Sequence, residues 1–287
     1  SYSDGDFGKA RNWYMELALS YNRKFGDHNV SGLMLYNQSK KYYPGGTYSY
    51  IPSGYVGLVG RVTYDWKTRY MAEFNAGYNG SENFAPGKRY GFFPAGSIGW
   101  VVSEEPFFAP LKKALNYLKV RASVGMVGND KMGDKRFLYL PGSYGYGSGS
   151  NQNTHGYYFG QNVNAIKPGA YEATNSNPDA TWETSVKQNY GIDLTILNER
   201  LSISADYFVE NRKDILVEPD YLPSILGMTL PVVNVGKAKN EGIELQLKWN
   251  DNLSKEFRYW ANFNLSYATN KICLLYTSDA ADDGESV

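Results

Sequence analysis

Large apolar residues return at every second position over long stretches of this chain, and that period limits the fold more than any other feature. Across residues 13–21 the odd positions read Trp13, Met15, Leu17, Leu19 and Tyr21, and the even ones Tyr14, Glu16, Ala18 and Ser20. Successive side chains of a strand point to opposite faces, so this spacing predicts a strand with one dry and one wet face. The pattern recurs over residues 56–66, 70–78, 118–126, 182–194, 201–209, 243–249 and 259–267, with weaker runs at 30–36 and 96–102. About ten strands are expected, and the chain is all-β.

These strands are long. Strands of soluble domains cluster near 5–6 residues, whereas a tilted strand crossing a bilayer needs about 9–11. Aromatic residues sit near the ends of the dry faces: Trp13, Tyr21, Tyr64, Trp66, Tyr70, Tyr78, Trp249, Tyr259 and Tyr267. Rings with a polar edge suit headgroup depth, so these residues are expected to form the lipid-facing girdles of an antiparallel transmembrane β-barrel. The supply of rings is large, with 6 Trp, 26 Tyr and 13 Phe, which argues against disorder. No run reaches the roughly 18–20 apolar residues of a spanning helix.

The connections alternate in length. Short ones fall at residues 22–28, 67–68, 195–200 and 250–256, and long ones at 38–54, 79–94, 129–180 and 211–233. Short turns on one side and long loops on the other are the asymmetry of bacterial outer-membrane barrels, whose long loops lie outside the cell. The segment 105–117 has Pro110 near a helix start and Leu111, Ala114 and Leu115 at helical spacing, so one short periplasmic helix is expected there. The wet faces carry Arg61, Asp65, Glu73, Lys119, Arg121, Glu183, Lys187, Asp193, Asp206, Glu244, Gln246 and Lys248. Unpaired charge is costly in a small filled barrel, so this set calls for a wide, hydrated or plugged lumen, and the ten strands are read as an arc of a larger barrel.

Four stretches then carry a resemblance. Residues 118–130 (LKVRASVGMVGND), 177–201 (NPDATWETSVKQNYGIDLTILNERL), 201–216 (LSISADYFVENRKDIL) and 234–249 (NVGKAKNEGIELQLKW) resemble, in order and spacing, the C-terminal barrel half of SusC/RagA-type TonB-dependent outer-membrane transporters. The resemblance covers the chain up to Ile272, taken as a partial barrel domain over residues 1–272. It implies a barrel of the roughly 22-stranded type. It also implies the outer membrane of a Gram-negative, Bacteroidota-like cell and active import of oligosaccharides or oligopeptides. The implied partners are a SusD-like surface lipoprotein, TonB (through an N-terminal plug region not found in this sequence) and outer-membrane lipid. Residues 273–287 (CLLYTSDAADDGESV) break the strand rhythm and resemble the read-through of a sequencing-library adaptor, so they are expected to be a non-native tail.

Loops rich in Tyr, Gly, Asn and Ser offer rings for stacking and amides for hydrogen bonding. Candidate ligand contacts are Tyr42, Tyr43, Tyr48 and Tyr50 in one loop and Tyr144, Tyr146, Tyr157, Tyr158 and Phe159 in the longest one. No cofactor, metal set or catalytic group is expected. His28 and His155 are isolated, Cys273 is the sole cysteine, and the acids Asp4, Asp6, Asp130 and Asp134 lack a recognised calcium spacing. Lys plus Arg is 29 and Asp plus Glu is 29, which removes the electrostatic reason to expect nucleic acid. Alternatives from other classes are a passive porin and a soluble β-rich glycan-binding module; a siderophore or cobalamin receptor would share the fold. The soluble module requires the apolar faces to pack on one another, and the barrel requires them to form one uncovered belt.

Overall fold

In a computed structural model, the structure describes residues 11–43, 50–133, 135–141, 145–146, 156–158, 166–171, 175–218, 230–254 and 256–274. Ten long strands follow one another: β1 (Arg11–Phe25), β2 (His28–Tyr42), β3 (Ser53–Trp66), β4 (Tyr70–Ser81), β5 (Tyr90–Val101), β6 (Leu115–Asn129), β7 (Glu183–Ile196), β8 (Leu201–Val217), β9 (Val233–Asn252) and β10 (Arg258–Leu274). Each pairs antiparallel with its neighbours in sequence, giving one ten-stranded sheet. The sheet is an open arc with β1 and β10 at its edges. Two short ribbons lie in the connection between β6 and β7, Gly145–Tyr146 with Ala170–Tyr171 and Gly156–Tyr158 with Ile166–Pro168.

Register turns the period-two pattern into a surface. Directly paired residues of an antiparallel ladder share a face. Across the middle of the sheet, Val62 pairs with Phe74, Phe74 with Gly96, and Gly96 with Val124. Nearer one end, Ala122 pairs with Tyr190, Tyr190 with Tyr207, Tyr207 with Ile243 and Ile243 with Tyr267. The dry faces therefore merge into one apolar face running over the arc. Its side chains stay uncovered, as Leu19, Phe74, Ile98 and Val124 illustrate with exposures of 72%, 53%, 66% and 52%. No second layer packs on this face among the described residues, which is the arrangement of a barrel wall and not of a sandwich.

The strands run 12 to 20 residues, beyond the expected bounds. They extend past the roughly 9–11 residues a bilayer requires, mainly into the long-loop end. β10 continues through Cys273 and Leu274, where Leu274 pairs with Lys237; the rest of the expected tail, 275–287, lies outside the described residues.

At the short-turn end, Gly26 supplies the positive φ (60°) between β1 and β2. Lys67 and Thr68 take left-handed φ values of 53° and 56° between β3 and β4, the twist a two-residue hairpin favours. The helical character expected between β5 and β6 takes the form of two single 3-10 turns, Val102–Glu104 and Pro106–Phe108, earlier than the predicted start. Pro110 explains why no α-helix forms from Pro106, because it has no N–H to give the Pro106 carbonyl.

Among the described residues a cluster of buried apolar side chains sits at the long-loop end, and Val101 and Phe108 are buried at the short-turn end. β5 pairs with β6 only from Ala95 to Val101, and Pro94 removes a donor where that ladder stops. Phe93 and Trp182 meet edge to face here, with ring centroids 5.2 Å apart, and Phe84 lies 5.4 Å from Trp182. Leu138, Ala180, Leu216 and Val232 complete the cluster. It joins the β4–β5, β6–β7 and β8–β9 connections into one unit.

Candidate functional site

Several charges of the hydrated face are held in pairs, while Lys119, Glu244 and Lys248 make no ion pair among the described residues. Arg61 donates to Glu73 at 2.6 Å, and Asn75 to the other Glu73 oxygen at 2.7 Å. Arg121 reaches across β7 to two strands at once, donating to Asp193 at 3.2 Å and to Asp206 at 2.6 Å. Ser204 closes that group by donating to Asp193 at 2.6 Å. Glu210 accepts from Ser185 at 2.7 Å and from Arg212 at 2.9 Å. Paired ions beside water suit a hydrated lumen wall and would be costly in a dry core.

Towards the long-loop end this face opens into a cavity of about 940 Å³ between the β1–β3 strand ends and the β4–β5 and β6–β7 connections. That is near the top of the range for ligand pockets, about 300–1,000 Å³. Tyr14 and Tyr55 are exposed rings on its lining. The Tyr14 hydroxyl donates to Glu16 at 2.5 Å and the Tyr55 hydroxyl to Asn79 at 2.9 Å, so each ring is held by its polar tip.

One wall is built by Arg136, which donates to Glu82 Oε1 from Nε (2.9 Å) and Nη2 (2.6 Å) and to the Ile51 carbonyl from Nη1 (2.9 Å). Glu82 also accepts from the Gly54 amide at 3.0 Å. Asp130 accepts from Ser81 at 2.6 Å, and its backbone carbonyl accepts from Asn83 at 2.8 Å. Lys135 pairs with Glu218. Lys41 and Lys131 are exposed on the lining, and among the described residues their ammonium groups make no ion pair or hydrogen bond.

The motif residues brace this end. Asn177 accepts from the Asp179 amide at 2.9 Å and donates to the Val232 carbonyl at 2.7 Å. Asn234 and Thr181 exchange reciprocal bonds of 2.9 and 2.8 Å, and Asn234 also donates to the Asp214 carbonyl at 2.7 Å. Asp179 takes an ion pair from Lys88 at 2.7 Å, which lowers its pKa below the usual carboxylate value.

The expected ligand-contact rings are placed differently from one another. Tyr42 ends β2 beneath Arg11, whose Cζ lies 5.5 Å from the ring centroid, while Tyr43 and Tyr50 are exposed in the following connection. None of these three lines the cavity. Tyr146, Tyr157 and Tyr158 belong to the two short ribbons, and Tyr48, Tyr144 and Phe159 lie outside the described residues. Tyr14, Tyr55, Lys41 and Lys131 were not foreseen. The available signal was an aromatic or cationic residue on the hydrated parity of a strand, as at Tyr14.

Most of the expected girdle rings are exposed on the apolar face. At the short-turn end Trp66 stacks on Tyr70 (5.6 Å) and Tyr70 on Trp100 (6.2 Å), and His28 stacks on Trp66 (6.3 Å). Glu105 accepts from the Tyr70 hydroxyl at 2.6 Å and the Trp100 indole at 3.1 Å. Those bonds, with the Arg69 charge, hold the Glu105 pKa below the usual range. Tyr78 stacks on Tyr90 at the long-loop end (5.1 Å). Trp13, Tyr21, Tyr64, Tyr259 and Tyr267 are exposed too, and Trp249 is half-buried.

Comparison with known proteins gives a consistent picture. The family model described as "TonB dependent receptor-like, beta-barrel" matches residues 1–287. TonB-dependent receptor P39 of Formosa agariphila is 31% identical over 229 residues, which are 79% of this chain and 20% of that protein. TonB-dependent receptor SusC of Bacteroides thetaiotaomicron is 27% identical over 228 residues, 79% of this chain and 22% of that one. The RagAB peptide importer in its open-open state superposes with a TM-score of 0.71 at 20% identity, over 93% of this chain and 30% of that one. The chain thus spans 20% to 28% of the length of the curated relatives it matches.

Proposed function

Because the chain belongs to the TonB-dependent receptor β-barrel family, whose members are outer-membrane transporters, we propose that it is wall and mouth of an importer for oligosaccharides or oligopeptides. The observation that carries this reading is the division of one sheet into an uncovered apolar face and an ion-paired hydrated face. Such a wall separates lipid from a hydrated path. The long connections then lie outside the cell and the short turns in the periplasm.

Energy from TonB and capture by a SusD-like surface lipoprotein complete the proposed cycle. The braced loop cluster around Trp182 supports it, since a lid needs a firm rim to close on. The test is uptake of labelled oligomers by cells carrying the full-length gene. Uptake should stop on removal of TonB or collapse of the proton-motive force, and a surface lipoprotein should co-purify. Uptake that simply follows the concentration gradient and survives both treatments would mean a passive channel.

A further inference from the structure

We propose that the cavity at the extracellular mouth binds an anionic oligosaccharide, one whose pyranose rings carry carboxylate or sulfate groups. The inference rests on the importer reading and adds the ligand class to it. Charge accounting comes first. Of the acids on the lining, Glu82 is paired with Arg136, while Asp130 accepts from the neutral Ser81 hydroxyl and keeps its negative charge. Of the bases, Arg136 and Lys135 are matched by Glu82 and Glu218. Lys40, Lys41 and Lys131 remain, the first with its ammonium 5.2 Å from the Tyr42 ring centroid, so three lysines face the one carboxylate of Asp130 and the concave surface is net positive. A concave wall focuses their field towards an entering anion.

Shape and chemistry favour sugar over peptide. Tyr14 and Tyr55 are anchored by their hydroxyls, which leaves ring surface for stacking at little ordering cost. No Val, Leu, Ile or Met side chain lines the cavity among the described residues, so it has no aliphatic pocket for peptide side chains.

The test uses the full-length transporter, purified with any surface partner, and titrated with oligogalacturonate, a sulfated oligosaccharide, a neutral malto-oligosaccharide of equal length and oligoglutamate. One or both anionic sugars should bind at least about tenfold more tightly than the neutral one, the scale of one or two charge-assisted hydrogen bonds. The advantage should shrink with salt. The double variant Lys41→Ala/Lys131→Ala should remove it, and Lys41→Arg/Lys131→Arg should retain it, with both variants showing the wild-type heat-modifiable barrel band. Equal binding of neutral and anionic sugars, an unaffected alanine variant, or tightest binding of oligoglutamate would overturn the proposal. Uptake measured alongside separates the two readings. TonB-dependent uptake without charge preference sinks only the ligand class, whereas TonB-independent uptake sinks the importer.

Discussion

At Gly191 an added Cβ would lie 2.5 Å from Arg121 Cζ and 2.8 Å from Asp206 Oδ1. The missing side chain is what lets one guanidinium cross β7 and serve carboxylates on both β7 and β8. Gly191→Ala is therefore expected to push Arg121 aside and destabilise the barrel by about 1–3 kcal/mol, read by urea unfolding in lipid. Arg121→Met should act through the same bridge, so the double variant should lose clearly less than the sum of the single losses. Additive losses would show that the two positions work independently.

At the scale of elements, the loop cluster and the short-turn connection behave differently. Trp182 is 7% exposed, and its indole nitrogen has no hydrogen-bond partner among the described residues. Packing is thus its main contribution. Trp182→Ala should cost about 3–5 kcal/mol and free the surface loops to added protease, while Trp182→Phe should cost under about 1.5 kcal/mol. Glu105 ties the connection after β5 to the Tyr70–Trp100 stack. Its pKa is lowered on folding, so its contribution is fully present above the ordinary glutamate value of about 4.3 and fades as pH falls through the lower folded value. Acid titration of indole fluorescence should show that transition in the wild type and lack it in Glu105→Gln.

The whole molecule is divided by its two faces. Val124 and Ser123 are neighbours on β6 whose side chains point to lipid and lumen respectively. An arginine near the bilayer midplane costs about 2–4 kcal/mol on the lipid side and little on the lumen side. Val124→Arg should then lower barrel stability in vesicles by that amount and Ser123→Arg should not; equal effects would mean that the apolar face is not the lipid face. The arc expressed alone should aggregate, because both edge strands and the apolar face are left uncovered. A soluble, cooperatively melting monomer would contradict that account.

Strand number, strand order and face assignment were legible in the sequence, because a strand's side-chain period is local and survives whatever packs on it. Trp13 to Tyr21 declare their face without reference to any partner. Roles set by distant neighbours were not legible: Trp182 as the centre of a cluster drawn from three connections, Asn234 and Thr181 as a reciprocal pair, and Lys41 and Lys131 as lining of one cavity. Tyr42 stands out in one dimension because it sits where a long loop is expected, and Tyr14 does not because it sits inside a strand. The register of β1 on β2 and β2 on β3 sets Tyr14 and Tyr55 on the hydrated face at one cavity and Tyr42 on the opposite face, since a face follows from parity but a site follows from which chain segments fold back to meet.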